Sequence, residues 1–330
     1  MIAILIVCFF VNISLGSVDI PLKDIFNGLL GNPTTQEPWQ HIILHYRLPK
    51  ALTAIIVGSG LGISGLLMQT LFRNPLAGPF VLGVSSGASL GVALVILGSG
   101  VFGGVFASLL MSKWGIVIAA SLGSFLVLFA VLLVALKVRD TMAILIIGLM
   151  FASITAAIVS VLSYFGSAAQ LQQYIFWGFG SLGNLSWEDL SILFLIYLLG
   201  IILSIIAIKS LNTLLLGENY AKSLGLNLKQ SRLMIIIATS LLAGTITAFT
   251  GPIAFIGLAI PHLTRQVFNT SNHKILVPAV FLFGAIVMLI CDSIAQLPNS
   301  DLMLPINAIT SLVGAPVVIW LLVRKRNMVF

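Results

Sequence analysis

Ten apolar runs, each long enough or nearly long enough to cross a bilayer, leave this 330-residue chain few folds to choose from. They cover residues 2–16, 50–70, 80–98, 115–136, 142–165, 190–208, 233–250, 252–266, 275–294 and 305–323. A helix crossing the hydrocarbon core needs about 20 apolar residues. In hydrocarbon each backbone polar group must be satisfied within the segment, so runs of this length predict helices. The expected fold class is therefore all-α, a polytopic membrane protein of about ten transmembrane helices forming one domain over residues 1–330. A soluble domain is excluded by the bulk composition: 8% of residues are charged, against roughly a quarter in soluble proteins. The first run lacks the basic flank and small-residue cleavage site of a signal peptide and reads as an uncleaved helix. Its missing basic start leaves the position of the chain start open.

Ten crossings put both termini on one side, and the cations decide which. Arg73, Lys137, Arg139, Lys209, Lys222, Lys229, Arg232, Arg265, Lys274, Arg324, Lys325 and Arg326 fall on the side of the termini. Only Lys23, Arg47, Lys50 and Lys113 fall on the other. This asymmetry predicts cytoplasmic termini. Asp19, Asp24, Glu37, Glu188, Asp189 and Asp301 lie outside, in agreement, although acids weigh little in orientation. The net charge of +7 does not indicate a nucleic-acid partner, because the cations sit in short loops between apolar runs instead of on one solvated face.

The longest polar interruption is KSLNTLLLGENYAKSLGLNLKQSR at 209–232, cytoplasmic by this topology. Ala221, Leu224 and Leu228 recur at helical spacing and Gly225 can end a turn, which predicts a pair of short helices outside the lipid. A solvated loop that only satisfies charge rules is the plainer alternative. Gly58, Gly62 and Gly65 give the second run a small-residue face for close helix contact. GPFVLG at 78–83 and GPIAFIG at 251–257 each open a short apolar run, on opposite sides of the membrane, as an inverted repeat or a chance recurrence of Gly-Pro would produce.

Chemistry-bearing constellations are scarce. The chain has no GxxxxGK[ST] phosphate loop, no HExxH and no CxxC, which predicts neither an enzyme nor a cofactor site, and any ATP-driven engine is another polypeptide. Cys8 and Cys291 lie far apart inside apolar runs and read as packing residues. Asp292 is the only acid inside a run, near its outer end, where it can reach water or cap a neighbour; an ion-coupled carrier would depend on it. Pro261, His262 and Arg265 in GLAIPHLTR suggest a helix broken at the cytoplasmic interface with its polar face toward a partner, rather than a metal site. Ser85, Ser86 and Ser89 either line a path or bond to helix backbone. Arg47 and Lys50 bracket Pro49 just before the second helix, as interfacial anchors or as cations steering an acidic partner.

Side by side, RLPK (47–50), GISGLLMQTLFRNPLAGPFVLGVSSGASLG (62–91), GENYAKSLG (217–225), GPIAFIGLAIPHLTR (251–265) and LPINAITSLVGAPVVIWLL (304–322) resemble the FecCD family of bacterial ABC importer permeases. The resemblance covers essentially the whole chain. It implies a type II importer permease of ten helices in the inner membrane, paired as a dimer, with separate ATPase subunits on the cytoplasmic side and a substrate-binding protein on the outer side. The carried substrate would be an iron siderophore, haem or cobalamin-like chelate. The resemblance further implies that Glu218, Ala221, Leu224 and Gly225 belong to coupling helices seated on the ATPase, and that Arg47 and Lys50 meet acidic residues of the binding protein. Lys50 stands where relatives carry arginine, losing bidentate geometry. Gln296 stands where cobalamin-type members carry a further basic residue. Gate positions implied by similarity are Ser86, Thr141 and Met142, the last departing from a small polar residue. A receptor or scaffold that moves nothing is the remaining rival class.

Overall fold

A computed structural model describes residues 1–100, 111–135, 141–297 and 302–323. Lys137, Arg139, Asp301, Arg324, Lys325 and Arg326, used above to orient the chain, lie outside the described residues. Helices dominate: α1 (Ile2–Ser14), α2 (Leu22–Leu29), α3 (Glu37–Ile42), α4 (Leu48–Leu71), α5 (Val84–Ile96), α6 (Lys113–Ala135), α7 (Thr141–Phe165) and α8 (Ala168–Gly178) form the first part. The second comprises α9 (Trp187–Ile206), α10 (Ile208–Leu214), α11 (Glu218–Ser223), α12 (Leu228–Thr250), α13 (Ile256–Phe268), α14 (His273–Ala295) and α15 (Ile306–Val323). Among the described residues there is no strand, only an isolated bridge between Gln296 and Met303.

Among the described residues six helical segments are long and apolar enough to span a membrane, and the other four expected runs form the shorter helices α1, α5, α13 and α15. A 13-residue helix such as α13 is about 20 Å long, short of the roughly 30 Å hydrocarbon core. Irregular backbone makes up the difference, which hydrocarbon tolerates only when its polar groups are satisfied by protein. Asn307 does this ahead of α13: its Oδ1 accepts from Ala254 N at 3.0 Å, while its Nδ2 donates to Gly178 O at 3.3 Å. Ser181 N donates to Thr250 O in the same place. Both Gly-Pro segments then enter their helices through a left-handed residue, Gly83 (φ +78°) before α5 and Phe255 (φ +64°) before α13.

The second run extends further than its apolar stretch predicts. A continuous helical segment runs from Glu37 to Leu71, with a π-helical turn at Ile43–Arg47. Pro49 therefore lies inside the rod, not ahead of it, which corrects the expectation of a helix start. Proline removes one i→i−4 bond, and the wide turn immediately before it is a known way for a helix to absorb such a defect. Pro261 likewise sits within α13 instead of breaking it. Lacking an N–H, it leaves the Gly257 carbonyl without its intrahelical donor. A Cβ on Gly65 would stand 1.6 Å from that oxygen, so α4 meets it with Cα–H alone.

Around α4 the other helices close in. It packs against α12, α13 and α14, and its most apolar window is 89% buried. Gly58 faces Gly284 of α14, where a Cβ on either would come within 2.3 Å of the other's carbonyl oxygen. The small-residue face thus serves two neighbours at once. A second close pair, α5 with α6, meets at Gly87 and Gly123 and at Gly91 and Ala119.

Candidate functional site

Polar side chains gather at the two ends of the α4–α14 pair and on the 209–232 loop. At the end where α4 begins, Asp292 is 2% exposed and ion-paired with Lys50 Nζ at 3.3 Å. Asn12 Nδ2 donates to Asp292 Oδ2 at 2.9 Å and Gln296 Nε2 does so at 2.8 Å, so the carboxylate is fully engaged. Of the two alternatives given for Asp292, reaching water or a structural role, the structure shows the second: α1 carries Asn12 across its approach, and the buried charge is retained by pairing. Arg47, three residues before Lys50, is also drawn inward. Its Nη1 donates to the carbonyls of Ile13 and Ser14, each at 2.9 Å, and its Nη2 to that of Val18. The two cations, read from sequence as interfacial anchors or as groups steering an acidic partner, thus each hold acceptors within the chain. Arg47 meets carbonyls at and just beyond the end of α1, and Lys50 meets the carboxylate near the end of α14. Both nevertheless line a recess of about 410 Å³ with Tyr46, Asn184, Gln296 and Met303.

At the opposite end, Arg265 also turns inward rather than toward a partner. Its Nη1 donates to Gln69 Oε1 at 2.9 Å and its Nη2 lies 3.4 Å from Thr70 Oγ1. Thr70 Oγ1 is 2.8 Å from His273 Nε2, and His273 Nδ1 is 2.8 Å from Asn212 Oδ1. Asn212 Oδ1 accepts from His273 N as well, and its Nδ2 donates to Asn272 Oδ1 at 3.1 Å. Because an amide oxygen only accepts, His273 carries its proton on Nδ1. The result is a hydrogen-bonded chain from α13 through α4 and α14 to α10, the first helix of the loop. His262 lies half-buried one turn before Arg265. Among the described residues no cluster of His, Cys, Asp and Glu could hold a metal.

The loop folds into the short helices its periodicity predicts. α11 ends in a Schellman cap: Leu226 N donates to Ala221 O and Gly225 N to Lys222 O, with Gly225 at φ +83°. Ala221 is fully buried, whereas Leu224, at 61%, and Tyr220, at 65%, are exposed. Glu218 anchors the other end by pairing with Arg232 of α12 at 2.6 Å. Of the four residues expected to act together here, Ala221 and Glu218 hold the helix down, Gly225 turns the chain, and Leu224 is presented outward.

The expected gate residues are only partly placed. Ser86 lies in the first turn of α5, donating to Gly83 O at 3.0 Å, and Thr141 and Met142 open α7. Ser89 bonds Tyr174 of α8, a short helix between two of the expected apolar runs that the sequence did not reveal. Asn12, Gln69, Thr70, Asn212 and His273 were also missed. Asn12 and Gln69 are polar residues inside apolar runs, which is a readable signal, whereas His273 and Asn212 stand in polar loops where nothing distinguishes them.

The FecCD transport family profile matches residues 4–324. The chain belongs to the FecCD family. Over 318 residues it is 34% identical to the hemin transport system permease protein HmuU of Yersinia pestis, covering 96% of this chain and 93% of that protein. It is 38% identical over 291 residues to the vitamin B12 import system permease protein BtuC of Klebsiella pneumoniae, covering 87% and 84%. A solved chain of a metal-chelate type ABC transporter in an inward-facing conformation superposes with a TM-score of 0.85 at 31% identity, over 98% of this chain and 97% of that one. This member of the FecCD family is accordingly an all-α ABC transporter permease and not an enzyme.

Proposed function

We propose that this FecCD permease imports a metal chelate of the haem, cobalamin or ferric-siderophore kind across a bacterial inner membrane, powered by separate ATPase subunits and fed by a binding protein. The end-to-end likeness to permeases named for hemin and vitamin B12 carries the reading. The loop at 209–232 lies in the cytoplasm with both termini and forms the seat for the ATPase. Exposed Leu224 and Tyr220 on a helix held by buried Ala221 supply a rigid apolar contact. The end bearing Arg47 and Lys50 receives the binding protein, through the recess rather than through free cations. α7 is covered over only 17% of its most apolar window and shows Ser153, Ala156, Ala157 and Ser160 on its open side, a surface suited to a second copy around a shared path. Ser86, Thr141 and Met142 gate that path as access alternates.

Reconstitution of the permease with its ATPase and binding protein in proteoliposomes tests the reading. Chelate uptake should require ATP and persist with a protonophore; uptake driven by a proton gradient alone would instead identify an ion-coupled carrier. The engagement of Asp292 by Lys50, Asn12 and Gln296 argues against that second reading. A cysteine placed at Tyr220 should be labelled only from the cytoplasmic side.

A further inference from the structure

Where α9 meets α10, a groove of about 640 Å³ combines two features seldom found together. Its floor and walls are Ile205, Ile206, Ile208 and Leu216, and its polar rim is Lys209 and Lys274, with Asn212 and Thr213 between them. Both lysines are exposed, and neither forms an ion pair among the described residues, where the three ion pairs involve Lys50, Lys113 and Arg232. Lys274 stands in the first turn of α14, whose leading N–H groups are already taken, His273 N by Asn212 Oδ1 and Lys274 N by Asn272 Oδ1, so it is the side-chain charge that the groove offers an anion.

An apolar track leads into the groove along α9. Leu195, Leu199, Ile202 and Ile206 recur at spacings of four, three and four, and each is heavily exposed. In a membrane-spanning helix this stripe faces acyl chains. It ends just before Lys209, where the apolar run gives way to the polar loop. The groove therefore joins an acyl-chain track to a pair of uncompensated cations, and the ligand that matches both parts is a lipid with a negatively charged head.

We infer that this groove is a binding site for an anionic phospholipid, whose phosphate lies between Lys209 and Lys274 and whose tail follows the exposed stripe of α9. A free phosphate ion would leave the isoleucines uncovered. The site touches the hydrogen-bonded chain that begins at Arg265, because Asn212 lines it and is also the residue that His273 bonds. Lipid occupancy would thereby steady α10 against α14. The inference holds whatever the permease carries, since it requires only that the helices sit in a bilayer.

Native mass spectrometry of the purified full-length permease, exchanged into dioleoyl-phosphatidylglycerol or dioleoyl-phosphatidylcholine, tests it. The wild type should retain phosphatidylglycerol selectively. Lys209→Gln with Lys274→Gln should weaken that retention about thirtyfold, and each single change roughly fivefold. The paired arginine replacements should keep it. Lys222→Gln with Lys229→Gln removes the same charge elsewhere on the loop and should leave it unchanged. Undiminished retention in the glutamine double variant, an equal loss in the Lys222 and Lys229 control, or full displacement of lipid by inorganic phosphate would overturn the site. An unchanged thermal midpoint in phosphatidylcholine checks that the exposed substitutions leave the fold intact.

Discussion

The two ends of the α4–α14 pair are held by different chemistry. At one, Lys50 and Asp292 neutralise each other inside a ring completed by Asn12 and Gln296. At the other, guanidinium, hydroxyl, imidazole and amide groups pass a chain of hydrogen bonds from Arg265 to Asn212 and out to the loop. A buried ion pair is unforgiving, since loss of one partner strands a charge away from water. Hydrogen bonds contribute about 1 kcal/mol each and can be exchanged one at a time. The first arrangement suits a fixed joint, and the second suits a joint that moves, as the proposed coupling through the loop would require.

Four primary substitutions, two of them with compensating variants, sharpen or break this contrast. Asp292→Ala should cost about 3 kcal/mol in detergent unfolding, because Lys50 then stays buried without a counter-ion. Joint replacement by Lys50→Met and Asp292→Leu should recover most of that loss, and a harmless single variant would show that the joint is not closed. His273→Ala should cost about 2 kcal/mol, as Thr70 and Asn212 each lose a partner. Its distinguishing mark is a fall in chelate imported per ATP hydrolysed, whereas the Asp292 variant should lower transport and hydrolysis together. Gly225→Val should cost about 1 kcal/mol, since a β-branched residue is forced to φ +83° where no neighbour obstructs it. Hydrolysis should persist while uptake drops, and Gly225→Asn, which tolerates that backbone, should restore uptake. Glu218→Gln, breaking a pair at the protein surface, should cost less than about 1 kcal/mol, with a difference that fades in high salt.

Much of the fold was legible because hydrocarbon imposes a simple demand. Runs of apolar residues must be helices, and Gly58 and Gly65 announced close contacts that Gly284 and Gly257 supply. The short helix ending at Gly225 was legible too, since a glycine after Ala221 and Leu224 is a strong stop signal. What stayed hidden was the direction of long polar side chains. Arg47, Lys50 and Arg265 look from sequence like cations offered to partners, yet each finds acceptors within the chain. Those acceptors belong to segments remote in sequence, as when Lys50 meets Asp292, and periodicity carries no information about such pairs. Prolines misled for a related reason: Pro49 and Pro261 are absorbed by a π turn and by a glycine-faced neighbour, both tertiary provisions.

The enclosure of α4 by its neighbours has a mechanical corollary. A rod with almost no contact with lipid cannot tilt to match a thicker or thinner bilayer. Thickness is felt instead by less enclosed helices such as α6 and α9, which must adjust around a stationary mast. Changes in membrane width should therefore register first in the periphery of this permease and reach its centre only through the glycine contacts on which that mast is stepped.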